Sequence, residues 1–408
     1  MKTKIFFKSV ITIGLSVFLF CFVQGQDWPE WRGENRDGKV TGIVSSLQWP
    51  GELNQVWQQS VGLGDASPIL LNGRIYVLTK EGSDEVTQCI NAKTGQVIWR
   101  TVNNAAPVIE GPASSHPGPR STPVIANNKV YTLGAGGMVH CLDAETGKKI
   151  WQNNAFTEVP QFYTGMSPLV TGKECIVHLG GHDNGTVVAF NTENGNILWK
   201  LEGQPCTYSS PVKMKLDNEE ILVVQSETDL LGISMKGDLL WKIPTPAERR
   251  FYNCSTPIID GQNVIVAGQG GGTRSFKIVK SGNDYSHTQN WINPDFGGSF
   301  NTPVLKNGFL YGNEARLGKL YCLNAKTGET TWNDEITHNR FAATLDLGEV
   351  ILSLPATGNI IVYKANGQKY DEVAKYKVAD TEVYAHPMVV GDKIFVKDKE
   401  MLTCYSLN

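Results

Sequence analysis

A tryptophan recurs along this chain at Trp57, Trp99, Trp151, Trp199, Trp241, Trp291 and Trp332, with Tyr376 in the eighth place, at a mean spacing of about 46 residues. A period of that length marks one supersecondary unit copied many times, and it constrains the fold more than any other feature. A second marker keeps the same period: Pro68, Pro123, Pro168, Pro211, Pro257, Pro303 and Pro387, with Thr344 replacing proline in the seventh copy. The second copy, Pro123 to Trp151, contains four short runs rich in β-formers. They are separated by Asn127-Asn128, the Gly134–Gly137 cluster and Thr146-Gly147. Those are turn residues, so each copy reads as a four-stranded antiparallel sheet.

One such sheet cannot bury both of its faces alone, whereas eight packed around an axis bury them against each other. The expectation is therefore all-β, an eight-bladed β-propeller of four-stranded antiparallel blades spanning residues 55–408 as a single domain. Trp57 precedes the first inner strand, and the last copy ends without its own outer tryptophan. The strand Gln55–Ser60 should thus complete the sheet begun at Pro387 and close the ring, removing an open edge. Residues 26–54 form a lead-in segment.

The first 25 residues read as a signal peptide: Lys2, Lys4 and Lys8, then the apolar Val10–Val23, then Val23-Gln24-Gly25 before a cleavage at Gln26. No later segment is apolar enough to span a membrane, and Phe20 before Cys21 disfavours lipidation there. Removing the leader leaves 34 basic against 40 acidic residues, too little positive charge for a phosphate-binding surface, so nucleic acid is not an expected partner. The remaining cysteines include Cys89, Cys141, Cys322 and Cys404 at one repeat position, which Ala189 and Gly232 fill in other copies. A site shared by Cys, Ala and Gly is a tight buried slot, and disulfides, Cys-x-x-Cys metal sites and covalent haem are not expected.

The motif Ala-x-Thr-Gly-x-x-x-Trp stands at Ala92–Trp99, Ala144–Trp151 and Ala325–Trp332. It resembles the tryptophan-docking motif of PQQ-like propeller repeats, which occur in pyrroloquinoline-quinone dehydrogenases and in the propeller lipoprotein of the outer-membrane barrel-assembly machinery. The lead-in Asp27-Trp-Pro-Glu-Trp-Arg-Gly-Glu-Asn-Arg-Asp-Gly38 resembles the start of an exported bacterial branch of such propellers. The resemblance implies the fold and leaves the activity open, because the docking tryptophan packs blades whatever the ring carries. The dehydrogenases resemble one another in a vicinal Cys-Cys pair and in acid and amide ligands for calcium. This chain has no Cys-Cys, and Glu227, Asp229, Asp295 and Glu314 fall in no matching motif.

Ring geometry nominates a surface. Residues three places before each proline marker sit on loops that converge at one mouth of the channel: Asp65, Arg120, Gly165, Tyr208, Cys254, Phe300, Phe341 and Tyr384. Their aromatics either stack a ring, a sugar face or an extended peptide, or simply plug the channel. The longer connections Trp99–Pro123, Trp151–Pro168 and Trp241–Pro257 project over the same mouth and add His116, Arg249 and Arg250; Asn301, Arg340 and His386 also fall near it. The arginines make an acidic ligand conceivable. His116, His338 and His386 are read as independent loop histidines rather than a metal site. Gly268–Thr273 and Gly180–Gly185 are between-strand turns, which removes the phosphate-loop reading of the first and leaves His182-Asp183 a weak acid/base candidate.

These residues lead to an exported, monomeric, non-catalytic propeller of the periplasm or exterior that holds a protein or glycan partner in one mouth. A dehydrogenase using pyrroloquinoline quinone and calcium at a reduced site, and a barrel-assembly scaffold at the outer membrane, are the alternatives. No catalytic residue, cofactor or metal is assigned.

Overall fold

Turn residues every few positions leave each repeat room for four short strands, and these pair into eight four-stranded sheets. The computed structural model describes residues 27–41, 49–249 and 253–408; the leader, Cys21 and Arg250 lie outside them. Blade 1 comprises Ile69–Leu71, Arg74–Glu81, Asp84–Asn91 and Val97–Ala105, each antiparallel to the next. Blades 2 to 7 repeat this order, at 124–153, 169–202, 212–244, 258–293, 304–333 and 342–377. Blade 8 joins Met388–Val390, Lys393–Lys397 and Met401–Ser406 to the N-terminal strand Asn54–Ser60. The ring thus closes as the repeat phase requires, with no edge exposed between its ends.

The register explains the small-residue slot. Cys89, Cys141, Ala189, Gly232, Cys322 and Cys404 lie directly across from Trp99, Trp151, Trp199, Trp241, Trp332 and Trp57. An indole folded over its own sheet leaves no space for a larger partner. All seven described cysteines are buried and unbridged, as a packing role demands.

The indoles also join blades. Trp57 Nε1 donates to Ala92 O (3.0 Å), Trp99 to Ala144 O (3.2 Å), Trp151 to Thr192 O (3.0 Å), Trp291 to Ala325 O (3.0 Å) and Trp332 to Asn366 O (2.7 Å). Each acceptor lies in the last turn of the following blade. The Gly of that turn lies flat on the ring: a Cβ on Gly147 would sit 2.5 Å from Trp99. Its φ of +72° excludes a side chain a second time. Trp199 instead donates to Glu174 Oε1 within its own blade, and Tyr376 donates its hydroxyl to Pro50 O (2.6 Å). Blade 5 replaces the tight last turn with the long hairpin Gly272–Ser281 and Asp284–Asn293, and Trp241 Nε1 is buried without a partner among the described residues.

Residues 27–41 of the lead-in pack onto the ring. Trp28 pairs with Leu70 in both directions (2.7 and 2.8 Å), Pro29 O accepts from Ile125 N, and Val40 and Gly38 bracket Asp346. Between these anchors the chain enters the channel. Arg32, almost fully buried, donates to Thr302 O (2.7 Å) and Pro303 O (2.9 Å); Arg36 reaches Ser167 O, Pro168 O and Pro211 O and pairs with Glu30. Two guanidiniums therefore tie blades 3, 4 and 6 across the axis through carbonyls that the inner strands cannot use among themselves.

Two measurements test this packing. Gly147→Ala should cost roughly 2 kcal/mol more than Gly82→Ala in denaturant unfolding, because both glycines have positive φ but Gly82 has open space around its Cβ site. Equal costs would show that the indole contact adds nothing. His140 and His178 are buried, and desolvation lowers both to a pKa of about 4, with the Lys149 charge adding to the effect at His140. Each stays neutral in the fold and takes up a proton when unfolded below about pH 6.5. Stability should therefore drop as pH falls from about 6.5 toward 4, by roughly 3 kcal/mol per histidine. His140→Gln should flatten that decline in unfolding experiments at pH 7, 5.5 and 4, and an unchanged slope would remove His140 from the account.

Candidate functional site

The dipeptide before each inner strand builds the floor of the mouth. Ser67, Thr122, Ser167, Ser210, Thr256 and Thr302 each precede a marker proline, which leaves them in extended backbone with the amide pointing at the next blade. Ser67 N donates to Thr122 Oγ1 (3.1 Å), Thr122 N to Ser167 Oγ (3.1 Å), Ser167 N to Ser210 Oγ (2.9 Å), Ser210 N to Thr256 Oγ1 (3.1 Å) and Thr256 N to Thr302 Oγ1 (3.0 Å). His386 N donates to Ser67 Oγ (2.8 Å) from blade 8. One relay of hydroxyls thus runs through blades 1 to 6, entered from blade 8 by the His386 amide. Blade 7 has Ala343 at this position, and there Asn301 Nδ2 reaches across to Arg340 O (3.0 Å) instead.

Above this floor lies a cup of about 400 Å³. Its wall includes every one of the eight positions three places before the marker, from Asp65 through Tyr384, together with His116, His386 and Arg340. Trp31 of the lead-in also lines it, edge-on to His386 at 5.3 Å. The lead-in therefore blocks the channel, and the aromatics form a wall. They touch in sequence: His116 to Tyr384 (4.6 Å between centroids), Tyr384 to Phe341 (5.6 Å), Phe341 to Phe300 (5.9 Å), Phe300 to Tyr208 (5.6 Å), and Tyr208 to Phe162 (5.9 Å). Phe300 is 39% exposed and has a φ of +54°. A bulky residue held in that region stores strain, which the surrounding ring contacts sustain.

The charged groups are arranged unevenly. Asp65 is the one carboxylate of the wall, and its Oδ2 lies 2.8 Å from His116 Nδ1. Arg120 is held by the carbonyls of its own loop, Gly118 O, Ala113 O and His116 O, and burial pulls its pKa down. Arg340 lies over the Phe341 ring at 4.7 Å. Burial, with the Glu382 charge, pushes the Tyr384 hydroxyl up to about 12, and burial beside the Arg32 charge holds His386 well below the usual histidine range. Beneath Asp65, the buried Lys397 ammonium donates to Gly64 O and Asp398 O, and desolvation lowers its pKa to about 8.

Other sequence candidates fall elsewhere. Asn301 is buried in the blade 6 to blade 7 link, and Arg249 stands exposed on the third long loop; neither lines the cup. His338 pairs with Asp334 (2.7 Å) and His182 with Glu227, away from His116. Phe162, Trp31 and the hydroxyl relay went unrecognised in the sequence, although the recurring Ser/Thr-Pro dipeptide is the signal for the last.

A calcium-bound quinone is a poor match to this wall. Calcium takes six to eight oxygen ligands, several of them carboxylate or amide, and the cup lining offers Asp65 alone, already paired, with no Asn, Gln or Glu. Glu227, Asp229 and Glu314 are engaged at separate turns, with His182, with Lys242 and with the Arg316 and Leu317 amides.

The family profile described as outer membrane protein assembly factor BamB matches residues 82–334. The BamB of Yersinia pestis is 23% identical over 363 residues, 82% of this chain and 83% of that protein. Among solved structures, BamB from Moraxella catarrhalis superposes with a TM-score of 0.64 at 14% identity, covering 87% of this chain and 99% of that one. A quinohemoprotein alcohol dehydrogenase from Comamonas testosteroni gives 0.68 at 15% identity, covering 93% and 80%.

Removing one hydroxyl tests the relay. Thr122→Val keeps the shape but leaves the buried Ser67 amide unpaired, at a cost of about 1–3 kcal/mol. Faster hydrogen exchange at the Ser67 amide should accompany the loss; native protection there would show that the relay is not what holds it.

Proposed function

Because the chain belongs to the family of outer membrane protein assembly factor BamB, we propose that it is an exported, monomeric, non-catalytic propeller that holds a protein partner in its cup. The observation that carries this reading is Phe300, an exposed aromatic kept in a strained backbone conformation at the centre of a ring-to-ring belt. Strain retained at an exposed aromatic on a rigid floor suits a residue selected for contact. The run of touching rings favours a protein segment, which can seat an apolar side chain against them.

Assembly is a partner-binding task, and the name of the related proteins supports it without specifying the partner.

A photo-reactive phenylalanine analogue placed at Phe300 in cells should yield a discrete protein adduct, and the same probe at the exposed outer-strand Gln152 should not. Absence of an adduct at Phe300, or turnover of an alcohol by protein loaded with quinone and calcium, would overturn the reading.

A further inference from the structure

We propose that the cup selects for a carboxylate: the protein segment it holds presents an Asp or Glu side chain, flanked by an apolar one, to Arg340 and Arg120. This rests on the protein-holding reading above and adds the chemistry of the segment.

The cup is built almost entirely of hydrogen-bond donors and rings. In the floor relay, Ser67, Thr122, Ser167, Ser210 and Thr302 accept amide hydrogens from their neighbours. Acceptance uses the oxygen and leaves the hydroxyl proton to donate. All five residues line the cup.

The guanidiniums add positive charge that is only partly offset, Asp65 being the acid whose charge reaches Arg120. Arg120 is satisfied by three neutral carbonyls, which fill its N–H positions but do not cancel its charge. Arg340 lies on the Phe341 face, which leaves the edges of its planar fork for a ligand. Among the described residues, no carboxylate forms an ion pair with either arginine; Asp65, the one acid in the lining, pairs with His116 and has Lys397 below it, and Glu382 stands at the Tyr384 hydroxyl. The wall therefore attracts an anion.

The belt from Tyr384 to Phe162 supplies the apolar half of the recognition. A cavity of about 400 Å³ lies near the lower end of ligand-pocket volumes and has room for roughly two side chains rather than a folded domain. An acidic residue next to an apolar one fits both the size and the charge.

The test uses calorimetric titration of the purified chain with two capped pentapeptides, Ser-Phe-Glu-Phe-Ser and Ser-Phe-Gln-Phe-Ser, and with phenylacetate as a free small acid. The Glu peptide should bind roughly tenfold or more tighter than the Gln peptide at low salt, and the gap should narrow as ionic strength rises. Arg340 is exposed, so Arg340→Gln should fold normally and lose most of the preference. Equal affinities, no binding of either peptide, or a preference that survives Arg340→Gln would overturn the proposal. Tight binding of phenylacetate without peptide binding would overturn it in favour of a small acid. A Phe300 adduct alongside Glu/Gln indifference would leave the protein-holding reading standing and remove the carboxylate preference alone; no adduct would remove the reading itself.

Discussion

Each blade is a sheet with two apolar faces and no means of covering them itself, and everything else in this molecule follows from the need for neighbours. Apolar contact between blades is not directional, so the ring needs devices that fix each blade's angle and height. It has one at each of three radii. Indoles at the rim dock into the next blade's last turn, hydroxyls at the inner edge link amide to side chain around the axis, and two arginines of the lead-in tie the innermost carbonyls together.

The inner devices also make the site. A floor in which the first inner residues of consecutive blades hydrogen-bond to each other has few ways to move, and the lead-in blocks the channel behind it with Trp31. A mouth that would otherwise open into a channel becomes a cup with a fixed base. The loops above are then free to vary without disturbing the ring, and the 16-residue segment between Ala105 and Thr122 uses that freedom to place His116 and Arg120 in the wall. A site assembled from eight loops on a shared rigid base is the arrangement in which preorganisation costs least.

How much of this was legible in the sequence depends on whether the cause is periodic. The tryptophan and proline markers repeat, so blade number, ring closure and the convergence of Asp65 through Tyr384 could be read by counting. The slot shared by Cys, Ala and Gly was readable as small and buried, but naming the indole opposite it required the strand register. Phe162 lies six residues before its marker on a longer loop, where counting three back lands on Gly165. Asn301 and Arg249 were placed at the mouth by proximity in sequence; the side chain of one turns into a blade junction and the other stands away from the cup. The lead-in arginines were out of reach, because Arg32 and Arg36 find their acceptors 131 to 271 residues away.

Departures from the repeat locate the specific part of the molecule. Blade 7 is the copy without a proline marker and without the relay hydroxyl, Thr344 and Ala343 standing in their places. Its link to blade 6 runs through Asn301 to the carbonyl of Arg340. That bond fixes the Arg340 backbone and leaves its guanidinium to lie on Phe341 and line the cup. Blade 6 contributes Phe300, strained, immediately before the same asparagine. The seam where the structural rule is broken thus gathers the exposed arginine, the strained phenylalanine and a second belt ring, Phe341, within a few residues. Were these positions only packing, the simplest solution would be the one used at six of the eight blade junctions, a hydroxyl and a proline. A different solution at the seam of blades 6 and 7, flanked by Phe300 and Arg340 in the cup wall, is what a recognition surface built on a repeating scaffold requires.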